Sequence, residues 1–536
     1  MSTTSTLSPP IAFAPTNKWL VTVSITFGTL MGALDSSIVN VAINHIRGTV
    51  GATIEEITWI STAYIVATVL VMPLTAFLGS FFGQKRVYMF CLVLFLVGSA
   101  LCGLARTLPT LIVFRCIQGF GAGALQPTEQ AILRQTFPPE EQGMAMALFG
   151  VAVMIGPALG PTLGGYLTDN YSWPWIFYVN IPIGLLGLVM VYAFVHEPDD
   201  IKAAARARAD KARGHMDWAG IAFMFVGLAS LQTFLEQGDR DDWFNSPFIC
   251  GIALLAAASL VAFVIRELTA EAPAVNLRVL RDATFTSGTL ISSVMFAVLM
   301  TNMFFLPLFM QEMLGFTAMQ SGLALLPRSA VMFFFTPLIG KLYNYVSPRL
   351  VVGAGVLLFG VGSFLESRFT LASGPAQIFW PLIIQGVGFS CLFVPLITAS
   401  LSSVRRSELT DATGLSSLLR QLGGSIGIAA FATLFSRDIT RMRGALLPSF
   451  SAVRPEVVGR LAQLQAGLAA RGVTGPAAHQ TALSILHFIS LRQASLLSFE
   501  RSFLLQGLCF LMSLPLLFFL KVHRGGPAAD HIAIEF

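Results

Sequence analysis

Three observations predict an all-α polytopic membrane protein with fourteen spanning helices. Hydrophobic residues make up 55% of the 536 and charged residues only 11%, against about 25% charged in ordinary soluble domains; mean hydropathy is +0.73. Apolar runs near the ~20-residue length that crosses a bilayer alternate with polar punctuation along nearly the whole chain. Basic residues gather in every second connection, as the positive-inside rule expects of a multispan protein. The formal charge of +5 comes from those loop arginines and does not describe a nucleic-acid surface.

In chain order, the apolar runs place six spans near 18–44, 57–81, 86–106, 108–133, 142–167 and 175–196, two near 217–236 and 247–266, and six near 284–312, 321–344, 350–369, 378–401, 411–436 and 499–522. The simplest organisation is a tail (1–17), a six-helix bundle (18–196), a linker carrying two extra helices (197–282), a second six-helix bundle (283–523) and a tail (524–536). With both termini inside, the cytoplasmic connections hold Lys85, Arg86, Arg134, Lys202, Arg206, Arg208, Lys211, Arg213, Arg266, Arg278, Arg281, Lys341, Arg349, Arg405 and Arg406; the short outer loops hold Arg47, Arg106, Arg240 and Arg368. The long segment 437–498 is placed outside despite its arginines, because segments of that length translocate largely regardless of charge.

The six cysteines all fall inside apolar runs, with no CxxC or Cys/His spacing, so neither a disulfide framework nor a metal site is expected. No GxxxxGK[ST] phosphate loop occurs, which argues against ATP-driven pumping. No nucleophile, metal cluster or paired acids suggest an intramembrane enzyme, and no cofactor is expected. A weak internal repeat suggests halves: Pro73 followed by a glycine turn and Lys85-Arg86 recurs as Pro337, Gly340 and Arg349 at nearly the same spacing. Repeat-built transporters place their site where the repeats meet.

Residues 150–165 (GVAVMIGPALGPTLGG) load a spanning segment with Gly156, Pro157, Gly160, Pro161, Gly164 and Gly165. Lipid supplies no water to backbone groups freed by helix breakers, so this segment must be supported by neighbouring helices or a cavity. It reads either as a close-packed interface of small residues or as a flexing helix, the hinge and seal between the halves.

A charge at the centre of a spanning helix costs about 2.5–3.5 kcal/mol on insertion scales, so each one calls for a reason. Asp35 lies about seventeen residues, ~26 Å, along an outward-running first span, and Arg115 about seven residues, ~10 Å, along an inward-running fourth span. Both fall at similar depth in the outer half, either as a static ion pair or as a switch in which protonating Asp35 releases Arg115. Glu129, about four helical turns beyond Arg115 on the same face, is either a second proton or cation site or part of the inner interface. Arg420 lies near the midplane without a nameable carboxylate. Arg328, near the outer end of its span, is expected to snorkel to the surface. Asn40, Trp59, Tyr64, Gln118, Asn302 and Gln385 either line an amphipathic cavity or bond neighbouring helices.

Several stretches in order, LDSSIVNVAI (34–43), WISTAYIVA (59–67), RCIQGFGAG (115–123), GPALGPTLGG (156–165), WIFYVNIPIG (175–184), FMQEMLGFTAMQSGLALLP (309–327) and LLRQLGGSIG (418–427), resemble the fourteen-helix drug:proton antiporters of the major facilitator superfamily, the EmrB/QacA-like branch. The resemblance implies the major facilitator fold of two six-helix bundles with two inserted helices. It also implies proton coupling through Asp35, Arg115 and Arg420, and an antiporter motif at Gly156–Gly165. In AFLGSFFGQKR (76–86) Ser80 stands where the family usually has aspartate, a departure similar to the EmrB-type subgroup. That subgroup implies a bacterial inner membrane, a periplasmic adaptor and an outer-membrane channel. In 455–472, Val457, Leu461, Leu464 and Leu468 mark one apolar helical face, which either docks an adaptor, rests on the membrane, or folds back on the outer helix ends. The function expected is export of hydrophobic or amphipathic compounds in exchange for protons, the proton gradient being the energy source. The alternative is a dedicated exporter of one metabolite, fatty acid or siderophore-like compound.

Overall fold

The computed structural model describes residues 17–138, 141–196, 217–270, 273–343, 345–405, 408–446 and 454–519. Residues 1–16, the basic residues Lys202, Arg206, Arg208, Lys211, Arg213 and Arg406, and the tail at 524–536 lie outside them. Among the described residues, fourteen helices are long and apolar enough to span a bilayer. They are α1 (Lys18–Val50), α2 (Trp59–Phe82), α3 (Gln84–Leu104), α4 (Leu108–Thr136), α5 (Gln142–Asn170), α6 (Trp175–Phe194), α7 (Trp218–Gln237) and α8 (Pro247–Thr269). The second bundle comprises α9 (Ala283–Glu312), α10 (Ala318–Leu342), α11 (Pro348–Glu366), α12 (Pro375–Ser400), α13 (Leu409–Leu446) and α14 (Gly475–Leu511).

Local chemistry sets the boundaries. The Asn17 side chain accepts from the Trp19 amide to start α1, and Gly51, at φ 66°, ends it in the left-handed conformation that suits glycine. In the connection after α1, Thr53 and Glu56 form a reciprocal capping box; the Thr53 amide and hydroxyl hold the Glu56 carboxyl below the usual carboxylate range. Asp282 and Thr317 cap α9 and α10 by the same chemistry. Pro73 sits in a short 3-10 turn (Met72–Leu74) that interrupts α2, a place that suits the missing N–H of proline.

The two bundles repeat one contact scheme. α1 packs on α5, α2 on α4 and α3 on α4; α9 packs on α13, α10 on α12 and α11 on α12. Contacts between the bundles are reciprocal, α5 meeting α10 and α2 meeting α13. The inserted pair α7 and α8 pack on each other, with α7 against α2 and α13. Gln232 donates to Ser425 Oγ at 2.7 Å and Trp243 to Thr433 Oγ1 at 2.9 Å, tying the insert to α13.

Two boundaries differ from expectation. The last helix starts at Gly475 and its span runs to Leu517, not from about 499, because no proline falls between Pro476 and Pro515 and polar side chains outside the membrane do not break a helix. Likewise α13 continues to Leu446, so much of the segment 437–498 is helical extension. The apolar face of Val457, Leu461, Leu464 and Leu468 lies on a helix, Pro455–Ala469, that packs on α14, with Gln465 and His479 side chains 2.6 Å apart. These four residues are half-buried there, the fold-back arrangement.

The halves are latched at the end that carries the connections after α2 and α4. Arg134 of α4 donates to the carbonyls of Thr398 and Leu401 at 3.1 Å each, Gln84 to Thr410 at 2.8 Å and Gln130 to Ser417 at 3.3 Å. Thr398 is in the last turn of α12, whose carbonyls have no partner within their own helix, and Leu401 is its C-cap residue; a cation suits that end. Arg134→Ala is expected to raise several-fold the maleimide labelling of a cysteine placed at Ser417 from that membrane face, and an unchanged rate would show that the apolar contacts alone hold the latch.

Candidate functional site

The sequence-predicted pair meets. Arg115 Nη1 lies 2.6 Å from Asp35 Oδ2, both residues being almost wholly buried. Depth counted along two antiparallel helices brings their heights together, and contact follows because α1, α2, α3, α4 and α6 surround one point. Gln118, one turn beyond Arg115, accepts from Arg115 Nη1 at 2.7 Å and donates to Asp35 Oδ1 at 2.8 Å. Asn180 of α6 donates to the same Oδ1 at 3.2 Å and to Ser99 Oγ at 3.1 Å; Ser99 in turn donates to the Phe177 carbonyl at 2.8 Å. Arg115 Nε donates to the Ile60 carbonyl at 3.3 Å, and its guanidinium lies 4.1 Å from the centre of the Tyr64 ring.

Gln118 and Asn180 thus hydrogen-bond one fully buried charge pair, with the Tyr64 ring stacked on its cation. Desolvating two charges is costly, and their attraction offsets that cost only when the remaining lone pairs and protons are also satisfied. Both Asp35 oxygens are bonded here. Removing either partner alone leaves the other charge buried and uncompensated, at a cost of about 3–5 kcal/mol.

The glycine-rich run of α5 packs against this same stretch of α1. A Cβ on Gly156 would strike the backbone of Ala33 and Leu34, one on Gly160 the Ser37 hydroxyl, and one on Gly164 Ile38; Ser37 Oγ also donates to the Gly156 carbonyl at 3.1 Å. A Cβ on Gly165 would meet nothing within 4 Å. Pro161 and Thr162 face Gly322 of α10, and Gly143 faces the Gly340 backbone of α10. One face of α5 therefore holds the turn that carries Asp35, and another touches the opposite half. The side chain of Pro157 lies outside the described ones.

The other expected residues are dispersed. Glu129 is buried below the pair, accepting from Thr26 Oγ1 of α1 at 3.3 Å, with its second oxygen unpartnered. Arg420 is buried, donates to Ser417 Oγ at 3.1 Å and lies 5.5 Å from the Phe296 ring centre; its Nη1 has no partner. Asn40 is exposed and Trp59 half-buried, whereas Gln118 and Tyr64 belong to the charge network.

Asn302, Gln385 and Arg328 come together in the second bundle, and here one expectation is corrected. Arg328 does not snorkel: it is 3% exposed and donates to Asn302 Oδ1 at 2.7 Å. Its helix begins at Ala318, so Arg328 is ten residues, roughly 15 Å, from the helix start, too deep to reach the surface. Asn302 in turn donates to Glu366 Oε2 at 2.8 Å, and Gln385 donates to Ser363 Oγ at 3.4 Å. Glu366, Ser99, Asn180 and Ser363 carry no mark in the sequence that singles them out one by one. The signal that finds Ser99 and Ser363 is a repeat: Val-Gly-Ser at 97–99 and 361–363, beside Ile-Gln-Gly-x-Gly at 117–121 and 384–388.

The profile of the Major Facilitator Superfamily matches residues 25–428. The chain is 33% identical over 512 residues to the fatty acid resistance protein FarB of Neisseria gonorrhoeae, covering 94% of this chain and 97% of that protein. It is 31% identical over 505 residues to the multidrug export protein EmrB of Escherichia coli (strain K12), covering 94% and 95%. Among solved structures, the human organic anion transporter MFSD10 (TETRAN) aligns over 94% of this chain and 100% of its own with a TM-score of 0.60 at 14% identity. The proton:xylose symporter XylE aligns over 94% and 96% with a TM-score of 0.61 at 13% identity.

Proposed function

Because the chain belongs to the major facilitator superfamily, and is thus a transporter rather than an enzyme, we propose that it is a proton-driven exporter of hydrophobic or amphipathic compounds. The observation that carries the reading is the buried Asp35–Arg115 pair, seated on the α1 turn that the glycine run of α5 grips. A proton on Asp35 removes the negative charge, frees Arg115 from its ion pair and leaves Gln118 and Asn180 to re-form their hydrogen bonds. A change of charge at one atom is thereby converted into a repacking of α1 against α4 and α5, the kind of bistable packing that shifts between discrete states.

Relatives named for multidrug export and for fatty acid resistance support export as the direction and a bacterial inner membrane as the location, and the basic residues of alternate connections support cytoplasmic termini. A periplasmic adaptor and an outer-membrane channel fit the helix Pro455–Ala469 and the early turns of α14, which expose Val458, Leu483, Phe488 and Ile489. A dedicated exporter of one fatty acid or similar carboxylate is the second reading. Arg420 favours it, being a buried cation whose free Nη1 suits an anionic head group.

Everted vesicles carrying the full chain test the first reading with ethidium as probe. Accumulation should follow an imposed pH gradient and collapse when nigericin dissipates it. Accumulation indifferent to the gradient would rule out proton drive. Growth against a panel of toxic compounds separates breadth from a single substrate.

A further inference from the structure

The two bundles carry equivalent polar layers with the charges placed on different helices. Thirty-five residues separate Tyr64 from Ser99, and thirty-five separate Arg328 from Ser363. A Cβ on Gly98 would strike Gln118 and one on Gly362 would strike Gln385; a Cβ on Gly119 would strike the Tyr64 carbonyl and one on Gly386 the Arg328 carbonyl. These contacts superpose Tyr64 on Arg328, Ser99 on Ser363, Cys102 on Glu366 and Gln118 on Gln385. Leu382 then stands where Arg115 does, three residues before the glutamine.

In the first bundle the acid is on α1 and the cation on α4, in direct contact. In the second, α9 supplies Asn302, α10 supplies Arg328 and α11 supplies Glu366, and the Asn302 amide stands between the two charged groups, donating to one and accepting from the other. Glu366, Asn302, Gln385 and Ser363 are fully buried. This network is less completely bonded than that of Asp35, in which Asn180 Oδ1 has no partner: Glu366 Oε1, Arg328 Nε, Gln385 Oε1 and both polar atoms of Gln506 of α14 have none. Among the described residues, the one charged group acting on Glu366 is Arg328; α9 offers Asn302, α12 offers Gln385, and α14 brings no charge to it. Beyond it, Phe305, Phe309, Phe369, Phe499 and Phe503 form a buried aromatic cluster that screens the layer from water.

We propose that Glu366 is a second proton-carrying site, the counterpart in the C-terminal half of Asp35 in the N-terminal half, with Asn302 linking its ionisation to Arg328. The proposal rests on the proton-driven reading above. A proton bonds to the free Oε1, making the group neutral; when that O–H bond breaks to the other membrane face, the remaining charge is met by Arg328 once the Asn302 amide turns aside. Arg328 then takes as its partner the carboxylate that the Asn302 amide nitrogen gives up. Each half then loads and unloads one proton, and the halves share the energy of the gradient.

Full-length protein in liposomes, with ethidium as probe, tests this through stoichiometry. The slope of the logarithm of the accumulation ratio against the pH difference counts protons exchanged per probe. It should fall from about two in the wild type to about one in Glu366→Gln, and Glu366→Asp, which keeps a carboxyl, should restore it. A wild type that ignores the gradient would defeat the exporter reading itself, whereas a responding wild type with an unchanged slope in Glu366→Gln would overturn the second site alone. A measurement that needs no variant uses a membrane-permeant carbodiimide, which adds across the O–H of protonated buried carboxyls. Peptide mass analysis of the treated wild type should find the adduct on Glu366 at neutral pH, and an unmodified Glu366 would overturn the proposal.

Discussion

Asp35→Asn is expected to reduce pH-gradient-driven efflux in everted vesicles to the rate of vesicles lacking the protein, at unchanged abundance of the chain. Asparagine matches the carboxylate in shape and keeps an oxygen for Gln118 or Asn180, whose bonds to Asp35 are 2.8 and 3.2 Å. It carries no titratable proton, so the switch is fixed in its neutral setting. Arg115 then remains buried without a counter-charge, a loss of about 3–5 kcal/mol if nothing else held it. Gln118, the Ile60 carbonyl and the Tyr64 ring stay in place around it, and a guanidinium over an aromatic face retains about 2 kcal/mol or more when desolvated. Arg115→Ala should be the more damaging single change to the fold, because it removes those contacts and strands a carboxylate. Full efflux activity in Asp35→Asn would remove Asp35 from the coupling mechanism.

Gly156→Ala is expected to be the most disruptive methyl insertion in the glycine run. Its Cβ would lie 2.5 Å from the carbonyl carbon of Ala33 and 2.6 Å from the Leu34 nitrogen, and backbone cannot swing aside as a side chain can. The two helices must separate, and the shift passes directly to Asp35, two residues further along α1. Overpacking of this kind costs about 1–3 kcal/mol, visible as a lowered unfolding temperature of the purified protein together with lost efflux. Gly160→Ala meets the Ser37 hydroxyl, a side chain that can change rotamer, and should be milder. Gly165→Ala meets nothing within 4 Å and should be silent in both assays. Equal damage at 156 and 165 would mean that the run acts through helix flexibility and not through its seam with α1.

Much of this arrangement is legible in the sequence, for identifiable reasons. Span count follows from the length and hydropathy of the apolar runs, which the bilayer fixes. Asp35 and Arg115 can be matched because both helices start at clear polar boundaries, so residue count translates into depth. Arg328 is misplaced for the converse reason: hydropathy starts its span at 321, whereas the Thr317 cap begins the helix at Ala318, and Pro327 within it does not end it. Glu366 closes α11 beside Ser367 and Arg368 and reads in sequence as a polar helix end; only the packing of α9, α10 and α14 around it makes it buried. Gln118 reads as a cavity residue or a bond to a neighbouring helix, but in the structure it is a bridge inside the ion pair, a role that depends on partners on α1 and α4 simultaneously. Contacts between helices far apart in the chain leave no periodic trace, apart from the short repeats that mark equivalent helices.

The latch formed by Arg134 has a thermodynamic consequence for the transport cycle. Arg134 in one half caps the end of α12 in the other, so when that end opens the guanidinium and the Thr398 carbonyl lose their partners together, while the Leu401 carbonyl keeps the Val404 amide. The two groups left without partners must take up solvent in the same step, since unpaired buried polar groups cost about 1–3 kcal/mol apiece. Opening that end is therefore a hydration reaction, in which water is a stoichiometric participant. The balance between the two access states accordingly depends on water activity, and osmotic stress favours the latched state.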